Sequence, residues 1–133
     1  MRSYSPFQNF VLLVLRLIIA AIFLVAAYHK IPFWKAGHPE VTASMLAIIR
    51  IVSIAEPLGA IAMVFGLLTR LAAFGLTVIM VGAVYYSKFV YGIGFVMPTG
   101  AGWNFPLMVL GGCVILVAFG AGDWSVENKR AAR

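Results

Sequence analysis

The sequence predicts an all-α integral membrane protein: a four-helix bundle of antiparallel up-down topology, forming a single domain over residues 1–133. Three observations predict it. Of the 133 residues 63% are hydrophobic and only 11% charged, where a soluble domain is about half apolar and about one quarter charged. Mean hydropathy is +1.02. The apolar residues gather in four runs, and no segment outside them is long enough to bury a core of its own.

Crossing the hydrocarbon takes roughly 20 residues of helix. The first helix is expected over about 8–28 and is broken by Pro32-Phe33-Trp34. Its apolar stretch from Phe10 to Tyr28 is longer than the core of a signal peptide and is interrupted by Arg16, so it reads as a retained span. The second is expected over about 42–67, opened by Pro39-Glu40 and the polar Thr42 and Ser44. The third follows over about 69–88 with Thr69 as its N-cap, so the second and third must be antiparallel neighbours. The fourth runs over about 104–120, with Pro106 in its first turn and Gly120-Ala121-Gly122 ending it. Between the last two lies a Gly-rich interfacial loop from Val90 to Trp103, and residues 121–133 form a polar tail, as short surface helix or coil.

A net charge of +6 does not imply nucleic acid, because the basic residues are scattered singly among apolar runs. They read as anchors to anionic lipid headgroups. Arg2, Arg70, Lys129, Arg130 and Arg133 fall on one side, and Lys30, Lys35 and Lys88 on the other, which favours both termini in the cytoplasm. Cys113 is the only cysteine, so the chain cannot run a dithiol relay by itself, and it reads as a small buried hydrophobe. His29 and His38 have no second ligand at metal or haem spacing, so no metal site is expected.

Two charges fall where lipid should be. Arg16 lies about 12 Å into the first helix, and Glu56 about 16 Å from the end of the second, at 1.5 Å per residue. A lone charge at such depth is costly and a paired one tolerable, so Arg16 and Glu56 are expected to pair, directly or through water, as a catalytic couple or as an interhelical clamp. Pro57 leaves the Ser53 carbonyl without its helical donor and suggests a kink where Arg16 could bridge both groups.

Arg16, Ala20, Phe23, Ala27 and Lys30 follow the seam of one helix face, and Arg50, Ser53, Glu56 and Pro57 form a second. Thr77, Val81, Val84 and Lys88, with Tyr85 beside them, form a third; Asn104, Met108 and Gly111 form a fourth. If all four face inward, His29 or Lys30, Arg50, Tyr85, Lys88, Trp103 and Asn104 ring one mouth of the bundle. Such a cationic, aromatic mouth suits an anion or a quinone headgroup. The competing reading has Lys30 and Lys88 snorkelling, Trp103, Tyr85 and Tyr86 as belt aromatics, and Asn104 as an N-cap. Ala55 with Gly59, Gly75 with Gly82, and Gly111 with Gly112 allow close approach within the bundle or between protomers.

Arg16-Leu17 followed by Phe23-Leu24-Val25-Ala26-Ala27-Tyr28-His29-Lys30 resembles the first helix of the DoxX family. Glu56-Pro57-Leu58-Gly59 and then Phe65-Gly66-Leu67-Leu68-Thr69-Arg70-Leu71-Ala72-Ala73 resemble its second helix, tight turn and third helix. Phe105-Pro106-Leu107 and Gly120-Ala121-Gly122-Asp123-Trp124-Ser125 resemble its fourth helix and closing motif. The resemblance implies a four-helix protein of the bacterial or archaeal inner membrane, related to the DoxD and DoxA subunits of thiosulfate:quinone oxidoreductase. It also implies a redox-linked role beside a partner subunit. Many members carry an acidic residue where this chain has Asn104, which weakens a proton-transfer role there.

The leading expectation is therefore a membrane subunit of a redox system, possessing no tightly bound cofactor and taking a quinone or similar lipophilic or anionic ligand. In it Arg16 and Glu56 polarise or proton-couple the site, while Lys30, Arg50 and Lys88 hold the headgroup. A non-catalytic membrane scaffold for a partner complex is the alternative. A small transporter or channel is the third, and requires a homo-oligomer.

Overall fold

The structure, a computed structural model, describes residues 4–35 and 38–131, and these residues form helices and connecting segments with no strands. Arg2 and Arg133, used above to orient the chain, lie outside the described residues, as does the side chain of Arg130.

Helix α1 spans Pro6–Lys30. It begins earlier than expected because Ser5 and Gln8 form a reciprocal capping box, with Pro6 in the first turn. A short 3₁₀ turn, Ile31–Trp34, follows. Helix α2 spans Ala43–Phe65, capped by the Thr42 hydroxyl accepting from the Met45 N–H, and runs through Pro57 as one element. It stops at Gly66, whose φ of 65° is the left-handed conformation that ends helices.

Helix α3 spans Thr69–Tyr85 and widens into a π-turn over Tyr86–Val90. Thr69 is not its N-cap. Leu68 holds that position with φ 45°, and the Thr69 N–H donates instead to the Glu127 carboxylate. Helix α4 spans Asn104–Phe119. Its cap position is Trp103, which makes no side-chain cap, so Asn104 is not an N-cap either. The polar tail folds into a short helix α5, Val126–Ala131.

The four long helices pack as two hairpin-like pairs, α1 on α2 and α3 on α4, joined by the tight α2–α3 turn and a lesser α1–α4 contact. Leu12, Ile19 and Phe23 from α1 meet Ala60 and Met63, Leu76 and Met80, and Val109, Cys113 and Leu116 in the centre. Small residues allow the approach: Gly59 sits against Leu76 and Gly112 against Ile19, while Gly75 and Gly111 face outward. The outer surface carries Phe10, Leu17, Ile54, Leu71, Phe74, Val114 and Met108, the last 76% exposed. An apolar skin around an apolar core is the signature of a lipid-embedded bundle. The first three helical segments are each long and apolar enough to cross a bilayer. The 16-residue α4 is shorter, about 24 Å at 1.5 Å per residue.

The inward faces of α1 and α2 are those expected, with Arg16, Ala20, Phe23, Ala27 and Glu56 buried. Those of α3 and α4 are not: Val81, Tyr85 and Met108 point outward, and Leu76, Met80, Val109 and Cys113 point in.

Candidate functional site

The two ends of the bundle are built differently. At the end holding the termini, polar groups seal the structure. Asn9 is buried on α1; its amide donates to the Asp123 carboxylate at 2.9 Å and its carbonyl oxygen accepts from the Asp123 N–H at 2.7 Å. The Tyr4 hydroxyl donates to the Phe119 carbonyl, and the Glu127 N–H donates to the Gly66 carbonyl.

Arg16 is the centre of this seal. It is 1% exposed, and its guanidinium donates to four backbone carbonyls: Met63 at 2.9 Å, Val64 at 3.1 Å, Ala121 at 2.9 Å and Trp124 at 3.0 Å. The first two belong to the last turn of α2, where carbonyls lack helical donors and the helix dipole is negative. The other two belong to the closing segment after α4. Arg16 thus ties three parts of the chain together without a carboxylate.

Arg16 and Glu56 consequently do not pair, contrary to the expectation from their depths. That expectation set Gln8 level with Leu67, which puts Arg16 opposite residue 59. The observed register puts it opposite Met63 and Val64, a slide of about one turn, roughly 6 Å. Glu56 meets Lys30 instead, with Nζ 2.7 Å from Oε2 and 3.0 Å from Oε1. Neighbouring contacts keep the same register: the Arg50 Nε donates to the Phe33 carbonyl and the Trp34 indole N–H to the Ser53 hydroxyl.

The Lys30–Glu56 pair lies in the wall of a cavity of about 590 Å³ at the other end of the bundle. All four long helices contribute, with Phe23, Ile49, Met80, Tyr86 and Phe105 among the lining residues. Tyr86 and Ser87 bring hydroxyls from the π-turn. Glu56 is 2% exposed and Lys30 24%, so the carboxylate is shielded and the lysine side chain is only partly so. Each neutralises the other where water is scarce, which is the condition for holding charge at this depth.

Of the six residues expected to ring the mouth, Lys30 alone lines this cavity. Arg50 lies 5.8 Å over the Trp34 ring, outside it. Tyr85 faces outward against Tyr86 and Phe89, because α3 is turned from the expected seam. Lys88 lies 4.9 Å over Trp103 and 5.0 Å over Phe89, an interfacial cation–aromatic cluster. Asn104 hooks the loop, its N–H donating to the Phe95 carbonyl. Gly102 makes this hook possible: it is buried against the Gly94 and Phe95 carbonyls, where a Cβ would collide. His29 is exposed beside Tyr28.

Sequence reasoning missed the lining role of Tyr86, Ser87, Met80 and Gly102. Tyr86 and Ser87 owe their position to the π-turn, whose extra residue rotates the side chains beyond Tyr85 away from an α-helical register. The signal that was available is Lys30 itself, the last residue of α1 and a cation on the same seam as Arg16.

No curated protein and no solved structure matches the chain. A family model described as DoxX matches residues 11–91, which takes in most of α1, then α2, the tight turn, α3 and the π-turn. That match covers most of the chain, including Arg16, Lys30, Glu56 and Gly66, and the protein is therefore a member of the DoxX family of membrane proteins.

Proposed function

We propose that the protein is the membrane subunit of a redox system and binds a quinone, or a lipophilic molecule of similar shape, in the cavity beside Lys30 and Glu56. The observation that carries this reading is the cavity's composition. It is an apolar chamber of about 590 Å³ whose charged wall residues, among the described residues, are one ion pair. Volumes of about 300–1,000 Å³ with a few converging polar groups are usual for small-molecule sites. A quinone ring and the first part of its tail fit that chamber, with the head against the pair and the tail against Ile22, Ile48, Val52 and Phe105.

A bound quinone supplies two-electron, two-proton chemistry. The chain's own contribution is orientation, exclusion of water, and a carboxylate and ammonium able to hold a proton near the headgroup. Arg16 has no part in this chemistry; its role is structural. A partner redox subunit delivers the electrons. The protein resides in the bacterial or archaeal inner membrane. Tyr4 and Asp123 meet at one end, so both termini share a side, and Arg70 and Lys129 there favour the cytoplasm. The cavity then opens toward the opposite leaflet.

The test is equilibrium binding of duroquinone to the purified protein in lipid nanodiscs, corrected for partition into empty discs. Gly82 borders the cavity and has open space where a Cβ would stand, so Gly82→Phe adds bulk at the border of the chamber without displacing a packed neighbour. Saturable binding lost in Gly82→Phe supports the site. Absence of saturable binding removes it, and stoichiometric recovery of a partner protein would then favour a scaffold.

A further inference from the structure

We infer that the cavity prefers the reduced, hydroxyl-bearing form of its ligand, the hydroquinone, over the quinone. The inference rests on the quinone-site reading above and concerns which hydrogen-bonding capacity the wall leaves open.

The Lys30 ammonium has three protons. Two go to the Glu56 oxygens, at 2.7 and 3.0 Å, and the third to the Ala26 carbonyl at 3.3 Å. Its donors are spent. Glu56 is the opposite case: among the described residues it accepts only from Lys30. A carboxylate offers about four lone-pair positions, so about half its accepting capacity has no donor among the described residues. The Tyr86 and Ser87 hydroxyls can give or take a hydrogen bond and do not discriminate. What the pair offers a ligand is acceptor capacity at Glu56.

A hydroquinone hydroxyl provides that donor without breaking any existing bond. Bonds of the O–H···O⁻ kind are among the shortest and strongest in proteins, and a site shielded from water strengthens them further. A quinone carbonyl only accepts. To bond at the ion pair it must draw a proton of Lys30 away from Ala26 or from Glu56 itself, and it leaves the remaining acceptor positions of the carboxylate unserved.

The expected preference is about tenfold in affinity. A ligand held more tightly when reduced is a stronger oxidant in the site than in the bilayer. A tenfold preference raises the two-electron midpoint potential of the bound couple by about 30 mV. The site would thus draw electrons toward its ligand and hold the product, as suits the acceptor end of a redox chain.

The experiment is anaerobic equilibrium dialysis of duroquinone and durohydroquinone against the protein in nanodiscs. The wild type is compared with Glu56→Gln and with the double variant Lys30→Met/Glu56→Gln, in which no unpaired charge remains. About tenfold tighter binding of durohydroquinone, levelled in both variants, is the expected result. Equal or tighter binding of duroquinone by the wild type overturns the preference and leaves the cavity site standing. A preference that survives in both variants overturns the role of Glu56. Failure of both forms to bind removes the quinone reading and this inference with it.

Discussion

Gly66 and Arg16 are built around one another: a Cβ at Gly66 would stand 2.7 Å from the Arg16 Nη2 and 2.6 Å from the Ser125 Cβ. The glycine is needed twice, for its left-handed φ of 65° and for the space it leaves the guanidinium. Gly66→Ala is therefore expected to destabilise the folded bundle by about 2 kcal/mol or more, through backbone strain and overpacking together. Cys113 offers a built-in readout. It is the only cysteine and is fully buried, so its rate of labelling by a maleimide reports opening of the bundle. Faster labelling and a lower melting temperature in Gly66→Ala are the expected outcome; wild-type behaviour would show that this end is not the clamp described.

Arg16→Lys separates shape from charge. Lysine keeps the cation but cannot reach four carbonyls with a planar fork, and Arg16→Ala leaves all but the Met63 carbonyl, which the Gly66 N–H also serves, without a donor. Both are expected to cost about 3 kcal/mol or more, since buried carbonyls lose charged donors. Quinone affinity of the fraction that remains folded should be unchanged. Loss of binding in well-folded Arg16→Lys would return this residue to the ligand site.

The inner faces of α1 and α2 were legible in the sequence because polar residues mark them. Asn9, Arg16 and Lys30 on one helix, and Glu56 on the other, cannot face lipid, so their phase sets the phase of Ala20, Phe23 and Ala27. Helices α3 and α4 carry no such marks through most of their length. Lipid accepts Met108 and Val81 as readily as the core accepts Met80 and Val109, so hydrophobicity alone does not reveal rotation. The partners of the buried charges were misread for a different reason. Matching depths pairs a buried cation with an anion, whereas the end of α2 supplies carbonyl oxygens that serve it as well. Two of those acceptors, Ala121 and Trp124, lie more than a hundred residues away along the chain, in a motif that reads locally as punctuation.

Lys30 and Glu56 should be worth more together than apart. Lys30→Met or Glu56→Gln alone strands the other group in a dry wall, at an expected cost of about 1–3 kcal/mol, reduced at Lys30 by its partial exposure. The double variant should recover part of that loss, because Met and the neutral Gln amide leave no unpaired charge. A double-mutant cycle on melting in detergent measures the coupling. Additive effects would show that the two residues do not interact in the membrane.

Gly102→Ala places a methyl group against the Gly94 and Phe95 carbonyls, which receive the Trp103 and Asn104 N–H groups. The hook that holds the loop at the cavity rim should open. Faster proteolysis within the segment from Tyr91 to Ala101, with weaker ligand binding and unchanged Cys113 protection, is the expected pattern. Cleavage at the wild-type rate would mean that the loop is held by other contacts.

Photolabelling with an azidoquinone, followed by mass spectrometric mapping of the labelled residues, tests most directly the division of the bundle into a sealed end and a ligand-bearing end. Label concentrated on Met45, Met80, Tyr86 and Phe105, and competed away by excess duroquinone, is the expected result. Competable label on the Arg16 end, at Phe65, Trp124 or Val126, would contradict it.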